Sequence, residues 1–286
     1  MSIWSHSKAI FSLFFITSSL AICCVPVLLL AIAKVVLPGL KRQVDTALEW
    51  VYRTAVGVDD FWLRKVLGLQ WTTPHLGLSS GANVIALSNH VSWTDVLLIQ
   101  SIFVREGLIL KFLTKRQLMF VPIFGIIFWA FDFPILRRRA GPGMSEEERR
   151  RRDREAIAAA CSVHSSRPGV LVNFAEGTRS TADKRKAGAS PFVHLLSPKV
   201  GGFASLLDAL DSESLRVVDL TLAYPEGHSF WRFLSGNSQS IEVSAEVIHP
   251  DQIPADRASR AEWLEECWRR KDARIAEVSG RATGLR

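Results

Sequence analysis

From Ala9 to Ala33 the chain carries no charged side chain. At 1.5 Å per residue, these ~25 residues make a helix of roughly 37 Å, longer than the ~30 Å hydrocarbon core of a bilayer. Lys8 precedes the segment, and Lys34, Lys41 and Arg42 follow it. A secretory signal has a shorter apolar stretch, about 7–15 residues, ending in small side chains. Leu20-Ala21-Ile22-Cys23 approaches a lipoprotein cleavage site, but Ile22 is too large for the position before the cysteine. The reading is therefore a retained membrane anchor. Pro26 inside it removes a helical hydrogen bond, so a re-entrant hairpin is the alternative to a simple span. The heavier basic flank lies on the C-terminal side and places the body in the cytoplasm.

Residues 45–68 mix apolar and charged side chains with rough helical spacing, as in an amphipathic helix at an interface or on a domain surface. This divides the chain into an N-terminal unit, 1–68, with anchor and amphipathic helix, and a body, 69–286. The 286 residues suffice for a sizeable core. A net charge of +7, an apolar share of 48% and nine tryptophans suggest an anionic membrane surface or a phosphorylated substrate. The apolar N-terminus argues against nucleic acid as the partner. Cys23, Cys24, Cys161 and Cys267 form no C-x-x-C pair and no zinc spacing, so neither a disulfide framework nor a metal site is indicated.

In the body, strand and helix patterns alternate. Strands are expected at 83–87, 108–113, 131–136, 169–174, 215–224 and 241–248. Helices are expected at 91–104, 117–130, from Ser145 to about His164, from near Lys199, and at 257–277. Ser145 is a good N-cap, and Glu146, Glu147 and Glu148 oppose the helix dipole. The order implies an α/β fold. Leu118–Phe131 is apolar all round but too short to span a bilayer, and reads either as a buried core helix or as one dipping into lipid.

Three polar clusters fall at strand ends, where α/β folds build their sites. Asn89-His90-Val91-Ser92-Trp93-Thr94-Asp95 follows the first strand and opens a helix. Asp95, in the first turn, can fold back onto the His90 imidazole, fix its tautomer and leave the other nitrogen free to take a proton. The same two residues also serve as plain helix caps elsewhere. Phe174-Ala175-Glu176-Gly177-Thr178-Arg179-Ser180 combines a glycine turn with a guanidinium fork suited to phosphate. Arg137-Arg138-Arg139 is either a solvated face or a headgroup patch. Gly77-Leu78-Ser79-Ser80-Gly81 matches the nucleophile-elbow pattern, but its strand comes after it, so it reads as a turn. Without an elbow serine, His90 would have to activate a hydroxyl on the substrate.

NHVSWTD resembles the N-H-x4-D signature of the glycerolipid acyltransferases, the family of bacterial PlsC and the lysophosphatidic acid acyltransferases. FAEGTRS resembles the family's F-P-E-G-T-R-S block, FPILRRR falls where its second block lies, and LTLAYPEG, with Tyr224 and Pro225, is similar to the fourth. The apolar N-terminus and the run from Lys115 to Arg139 resemble especially the YihG-type branch. Ala175 stands in place of the usual proline, and Ile135-Leu136-Arg137-Arg138 departs from the commoner I-D-R form. The resemblance implies a glycerol-phosphate acyltransferase-like fold, a mixed sheet flanked by helices behind an N-terminal membrane anchor. It implies His90 as general base, with Asp95 orienting it. Glu176, Gly177, Thr178 and Arg179 would shape the acceptor site, and Arg179 with Arg137 or Arg138 would hold the glycerol phosphate. The acyl donor would be acyl-CoA or acyl carrier protein, the acceptor lysophosphatidic acid, and the setting the cytoplasmic (inner) membrane with its phospholipids. No cofactor is expected. Another lysophospholipid acceptor, a thioester hydrolase and a non-catalytic lipid-binding protein are the rival readings.

Overall fold

The computed structural model describes residues 1–79, 81–112, 114–133, 135–136, 145–165, 169–210, 213–238 and 240–284. Arg137, Arg138 and Arg139 lie outside the described residues, so the fold does not locate the second arginine cluster.

The apolar segment forms one helix, α1 (Ile3–Val36), which runs unbroken through Pro26. The chain reverses at Pro38–Leu40 instead, and α2 (Lys41–Phe61) packs back along α1. The pairing is antiparallel: Lys34 meets Asp45 at one end, and Trp62 Nε1–H donates to Ser12 Oγ near the other. One face of α1 meets protein, with Ser5, Ala9 and Ser12 buried near its start and Cys24, Val27 and Ala31 buried towards its end. Within each group the buried positions recur every three or four residues, as one face of a helix must. Its other face is bare: Phe14 is 67% and Leu29 62% exposed.

β1 (Asn83–Ser88) is followed by α3 (Thr94–Arg105), β2 (Leu110–Phe112) and the short β3 (Thr114–Lys115). The expected helix over 117–130 is broken. A 3₁₀ turn covers Arg116–Phe120, Val121 is extended, and α4 (Pro122–Ala130) starts at the proline. Proline disfavours a helical conformation in the residue before it and suits the first helical position, which accounts for the break. Within α4, Ala130 is buried while Phe124 and Trp129 are exposed, so the element is a surface helix and not the core helix its composition also allowed. β4 (Ile135–Leu136), α5 (Glu146–Ser165) and β5 (Gly169–Phe174) come next, with Ser145 Oγ accepting the Glu148 N–H as the cap reading requires. Between β5 and Lys199, where no helix is expected from the sequence, lies a short helix, α6 (Ala182–Ala187), capped by Thr181. The chain ends with α7 (Val200–Ala209), β6 (Leu215–Ala223), α8 (Phe230–Leu234), β7 (Glu242–Ile248) and α9 (Arg257–Gly284).

The main sheet has the order β2-β5-β1-β6-β7, with the first four strands parallel and β7 antiparallel at the edge. Side chains alternate between its faces. Val84, Ala86, Val170, Val172, Val218 and Leu220 share one core with α3, α8 and Ala9 of α1. Ile85, Leu87, Leu171 and Val217 share the other with α5, α7 and α9. Both faces are covered, as parallel strands demand. After β1 the chain builds one side of the sheet, β2 and β5, and then crosses to the other, β6. The carboxyl end of β1 is therefore the point where strand order reverses, the usual place for a ligand crevice.

Asn89, directly after β1, is fully buried. Its Oδ1 accepts the Leu222 N–H (2.9 Å) and its Nδ2–H donates to the Leu222 carbonyl (3.0 Å), so the side chain continues the β1–β6 ladder one step further. Asn89→Ala leaves two buried backbone groups unpaired and should cost about 2–4 kcal/mol. A lowered unfolding midpoint in detergent checks this, and an unchanged one would show that Leu222 re-pairs without it.

Candidate active site

The strand register decides which residues meet. Ser88 of β1 is level with Phe174 of β5 and Leu220 of β6. Two residues further on, His90 is therefore level with Glu176 on one side and Leu222 on the other. The His90 N–H donates to Glu176 Oε1 (3.1 Å), and the His90 carbonyl accepts the Ser180 N–H (2.7 Å). The backbone of His90 is thus held on both sides by the loop after β5. Its imidazole stacks on Phe174, with centroids 4.0 Å apart and planes at 17°.

His90 Nδ1 lies 2.6 Å from Asp95 Oδ2. The same oxygen accepts the N–H groups of Val91 (2.7 Å) and Ser92 (3.0 Å), and Oδ1 accepts the Tyr224 hydroxyl (2.5 Å). Asp95 is fully buried in the first turn of α3. A buried carboxylate is costly unless its lone pairs are filled, and here four donors fill them. An acceptor-only Asp95 makes Nδ1 the protonated nitrogen, which leaves Nε2 with a lone pair. The side chain of His90 is 19% exposed, so that lone pair can meet a ligand. Ser92 Oγ is turned towards Thr94, bonding its hydroxyl and its N–H, and is not engaged by His90. The arrangement can take a proton from a hydroxyl brought to it.

Glu176 turns inward. It is 1% exposed, and its second oxygen accepts the Leu196 N–H (3.1 Å). Burial, reinforced by the Asp95 charge, pushes its carboxyl up to about 7, against the two N–H donors and Lys271. It acts on the site through the backbone of His90. Gly177 has φ +72, the left-handed conformation that glycine tolerates, and its N–H closes a turn onto the Phe174 carbonyl. Thr178 and Arg179 are exposed. Lys184 Nζ bridges the Thr178 hydroxyl (2.7 Å) and the Arg179 carbonyl (3.1 Å), and the Arg179 guanidinium sits 5.2 Å from the Trp93 ring centre. His90, Asp95 and the Glu176–Arg179 loop are thus brought together.

Reading the sequence missed three participants. Tyr224 lay in a recognised block, but its bond to Asp95 is set by β6 register, which no local pattern reveals. Burial, followed by the Asp95 charge, holds its phenol well above the ordinary range. His228 stacks on Tyr224 at 4.0 Å, and burial pushes its pKa down to about 4. Lys184 lies in a helix too short for its periodicity to show, although Thr181 three residues before it is a cap signal, realised by the Lys184 N–H.

With this geometry in place, comparison with known proteins is informative. A family model described as "Acyltransferase" matches residues 73–229, more than half of the chain. The chain is 24% identical over 239 residues to 1-acyl-sn-glycerol-3-phosphate acyltransferase gamma of Mus musculus, covering 74% of this chain and 60% of that one. It is 23% identical to the epsilon form of the same organism, covering 83% and 68%. Lysocardiolipin acyltransferase 1 of Danio rerio is 25% identical over 74% of this chain and 57% of its own. The chain thus spans about 60% of the length of the first of these relatives. The solved 1-acyl-sn-glycerophosphate (LPA) acyltransferase PlsC of Thermotoga maritima superposes with a TM-score of 0.50 at 15% identity, over 90% of this chain and 95% of that one, which shows a common fold.

The Glu176 carboxyl makes a prediction about pH. Its native pKa of about 7 is above its ordinary 4.5, so the folded chain keeps a proton that the unfolded chain has released between those values. Stability from this group is fully present below about 4.5 and is lost as pH rises through about 7. Unfolding midpoints between pH 4.5 and 8 should fall more steeply for the wild type than for Glu176→Gln, which does not titrate. Parallel profiles would mean that Glu176 is ionised throughout.

Proposed function

The chain belongs to the acyltransferase family, and on that premise we propose that it moves a fatty acyl group from acyl-CoA or acyl carrier protein to the free hydroxyl of 1-acyl-glycerol-3-phosphate. The product is phosphatidic acid. The observation that carries this reading is the His90–Asp95 pair, with Nδ1 fixed and Nε2 open at the carboxyl end of β1. His90 Nε2 takes the proton of the acceptor hydroxyl as its oxygen attacks the thioester carbonyl. The carbon–sulfur bond then breaks, and the leaving thiolate takes up a proton from His90. Ester and thiol are formed, and the imidazole returns to its neutral form.

Arg179, exposed beside Trp93, supports recognition of an anionic acceptor. Arg137 and Arg138 remain its sequence-based companions. The printed names of the relatives, acyltransferases for 1-acyl-glycerol-3-phosphate and for lysocardiolipin, agree with a lysophospholipid acceptor. The apolar N-terminus and the run from Lys115 to Arg139 support a place in the YihG-type branch.

The bare faces of α1 and α4 support a site held at a lipid surface, and the heavier basic flank after α1 supports a body in the cytoplasm at the inner membrane. Because α1 rests on the body from Ser5 to Ala31, the packing favours a helix lying in one leaflet with α2 over one crossing the bilayer away from the body. The full chain should stay with membranes through a carbonate wash. Phe14→Glu with Leu29→Glu, both outward-facing, should release it, and retention of the double variant would place the anchor elsewhere.

Turnover tests the chemistry. His90→Ala should lower it by about 10²–10⁴-fold with the protein still folded. A variant keeping a tenth of the wild-type rate would remove His90 from the reaction. Thioester consumption should require lysophosphatidate; equal consumption without it would make the enzyme a hydrolase. Arg179→Ala should lower kcat/KM for lysophosphatidate roughly 10–100-fold with little change in the donor KM. Arg179→Lys should recover part, since an ammonium keeps the charge but not the fork. A rise in donor KM alone would assign Arg179 to the donor.

A further inference from the structure

A cavity of about 480 Å³ lies beside the His90–Asp95 pair. Val91 and Tyr224 line its inner side, Ile275 and Ser279 of α9 its outer side, and Arg185, His194 and Glu226 give it polar groups. Its volume is that of a small-molecule site. Its walls are tied to the pair by hydrogen bonds. Tyr224 donates to Asp95, Arg185 donates to Ser180 Oγ (3.1 Å), and the Ser180 N–H holds the His90 carbonyl. The loop carrying His194 is fixed to α9 through Asp272, which accepts the N–H groups of Val193 and His194.

The cavity is walled by α9, away in the chain from most of the exposed apolar side chains. Among the described residues, the exposed large apolar side chains belong to the stretches 1–66 and 120–129 and to Trp93, apart from Val193 near the cavity. α9 covers the sheet face opposite to the one that receives α1.

We propose that this cavity receives the phosphate-bearing pantetheine arm of the acyl donor, with Arg185 pairing with the phosphate. The assignment rests on the acyl-transfer reading above. Acyl-CoA and acyl carrier protein present the same arm: a sulfur that must come to His90, two amides, and a phosphate that stays in water. Arg185 offers the planar fork that matches phosphate. Glu226 offers an acceptor for an amide N–H group. Val91 and Ile275 offer apolar surface for the methylenes between them.

Binding to the full chain in detergent tests this without turnover. The probes are 4′-phosphopantetheine, CoA, and pantetheine lacking the phosphate. Arg185→Gln should weaken the first two roughly 10–100-fold and leave pantetheine unaffected. The donor KM should rise in the variant by a similar factor with acyl-CoA and with acyl carrier protein, while the KM for lysophosphatidate stays put. Gly280→Leu attacks the opposite wall. A Cβ there meets no atom within 4 Å, and leucine favours a helix over glycine, so the variant keeps its fold while narrowing the cavity. It should raise the donor KM several-fold with all charges intact. Unchanged CoA affinity in Arg185→Gln overturns the proposal. So does a loss confined to acyl-CoA, which would assign Arg185 to the nucleotide end, or a raised KM for lysophosphatidate, which would put the acceptor's headgroup in the cavity. Phosphopantetheine binding without acyl transfer from either donor would instead sink the acyl-transfer reading and leave the cavity assignment standing.

Discussion

A single buried carboxylate organises the site. Asp95 sits in a place where a charge without partners would cost several kcal/mol, and the fold answers with four donors from two segments. Two are backbone N–H groups of the turn leading into α3, one is the His90 ring, and one is the Tyr224 hydroxyl beyond β6. Each donor that stabilises Asp95 is in turn held in position by it. The tautomer of His90, the start of α3 and the end of β6 therefore stand or fall together. Glu176 plays the corresponding part for the loop after β5, gripping the backbone of His90 from one side and that of Leu196 from the other.

Much of this was legible beforehand. The β1 and β5 strands are short apolar runs ending in polar clusters, and both were placed within a residue of their observed bounds. The meeting of His90 with Asp95 followed from one being at a strand end and the other in the next helical turn, a local relation five residues long. The bond from Tyr224 to Asp95 spans 129 residues and depends on how β6 is registered against β1. Nothing near Tyr224 in the chain announces it. The inward turn of Glu176 was hidden for the same reason, since its partners come from His90 and Leu196. The helix over 117–130 failed at a proline that periodicity outvoted, and α6 failed because six residues give too little periodicity to set against a polar composition.

The sheet separates two environments. One face shares its core with α1 and lies towards the bare apolar helices, and the other is closed by α5, α7 and the charged α9. The carboxyl ends of the strands open between them. A reaction that joins a lipid to a group carried on a water-soluble thiol needs such a boundary, because its two reactants prefer different solvents.

The burial of Ala9 and Ser12 has a bearing on biogenesis. These residues belong to the anchor in sequence, yet Ala9 is part of the same core as the central strands, and Ser12 accepts a hydrogen bond from Trp62. The core on that face of the sheet is therefore incomplete without α1. α1 precedes every strand in chain order, so it is made before the sheet that packs on it. A copy pulled out of the lipid would expose the bare face of α1 to water, and a copy stripped of α1 would lose part of its own interior. Removing α1 and opening the core it shares with the central strands are, for this chain, linked events.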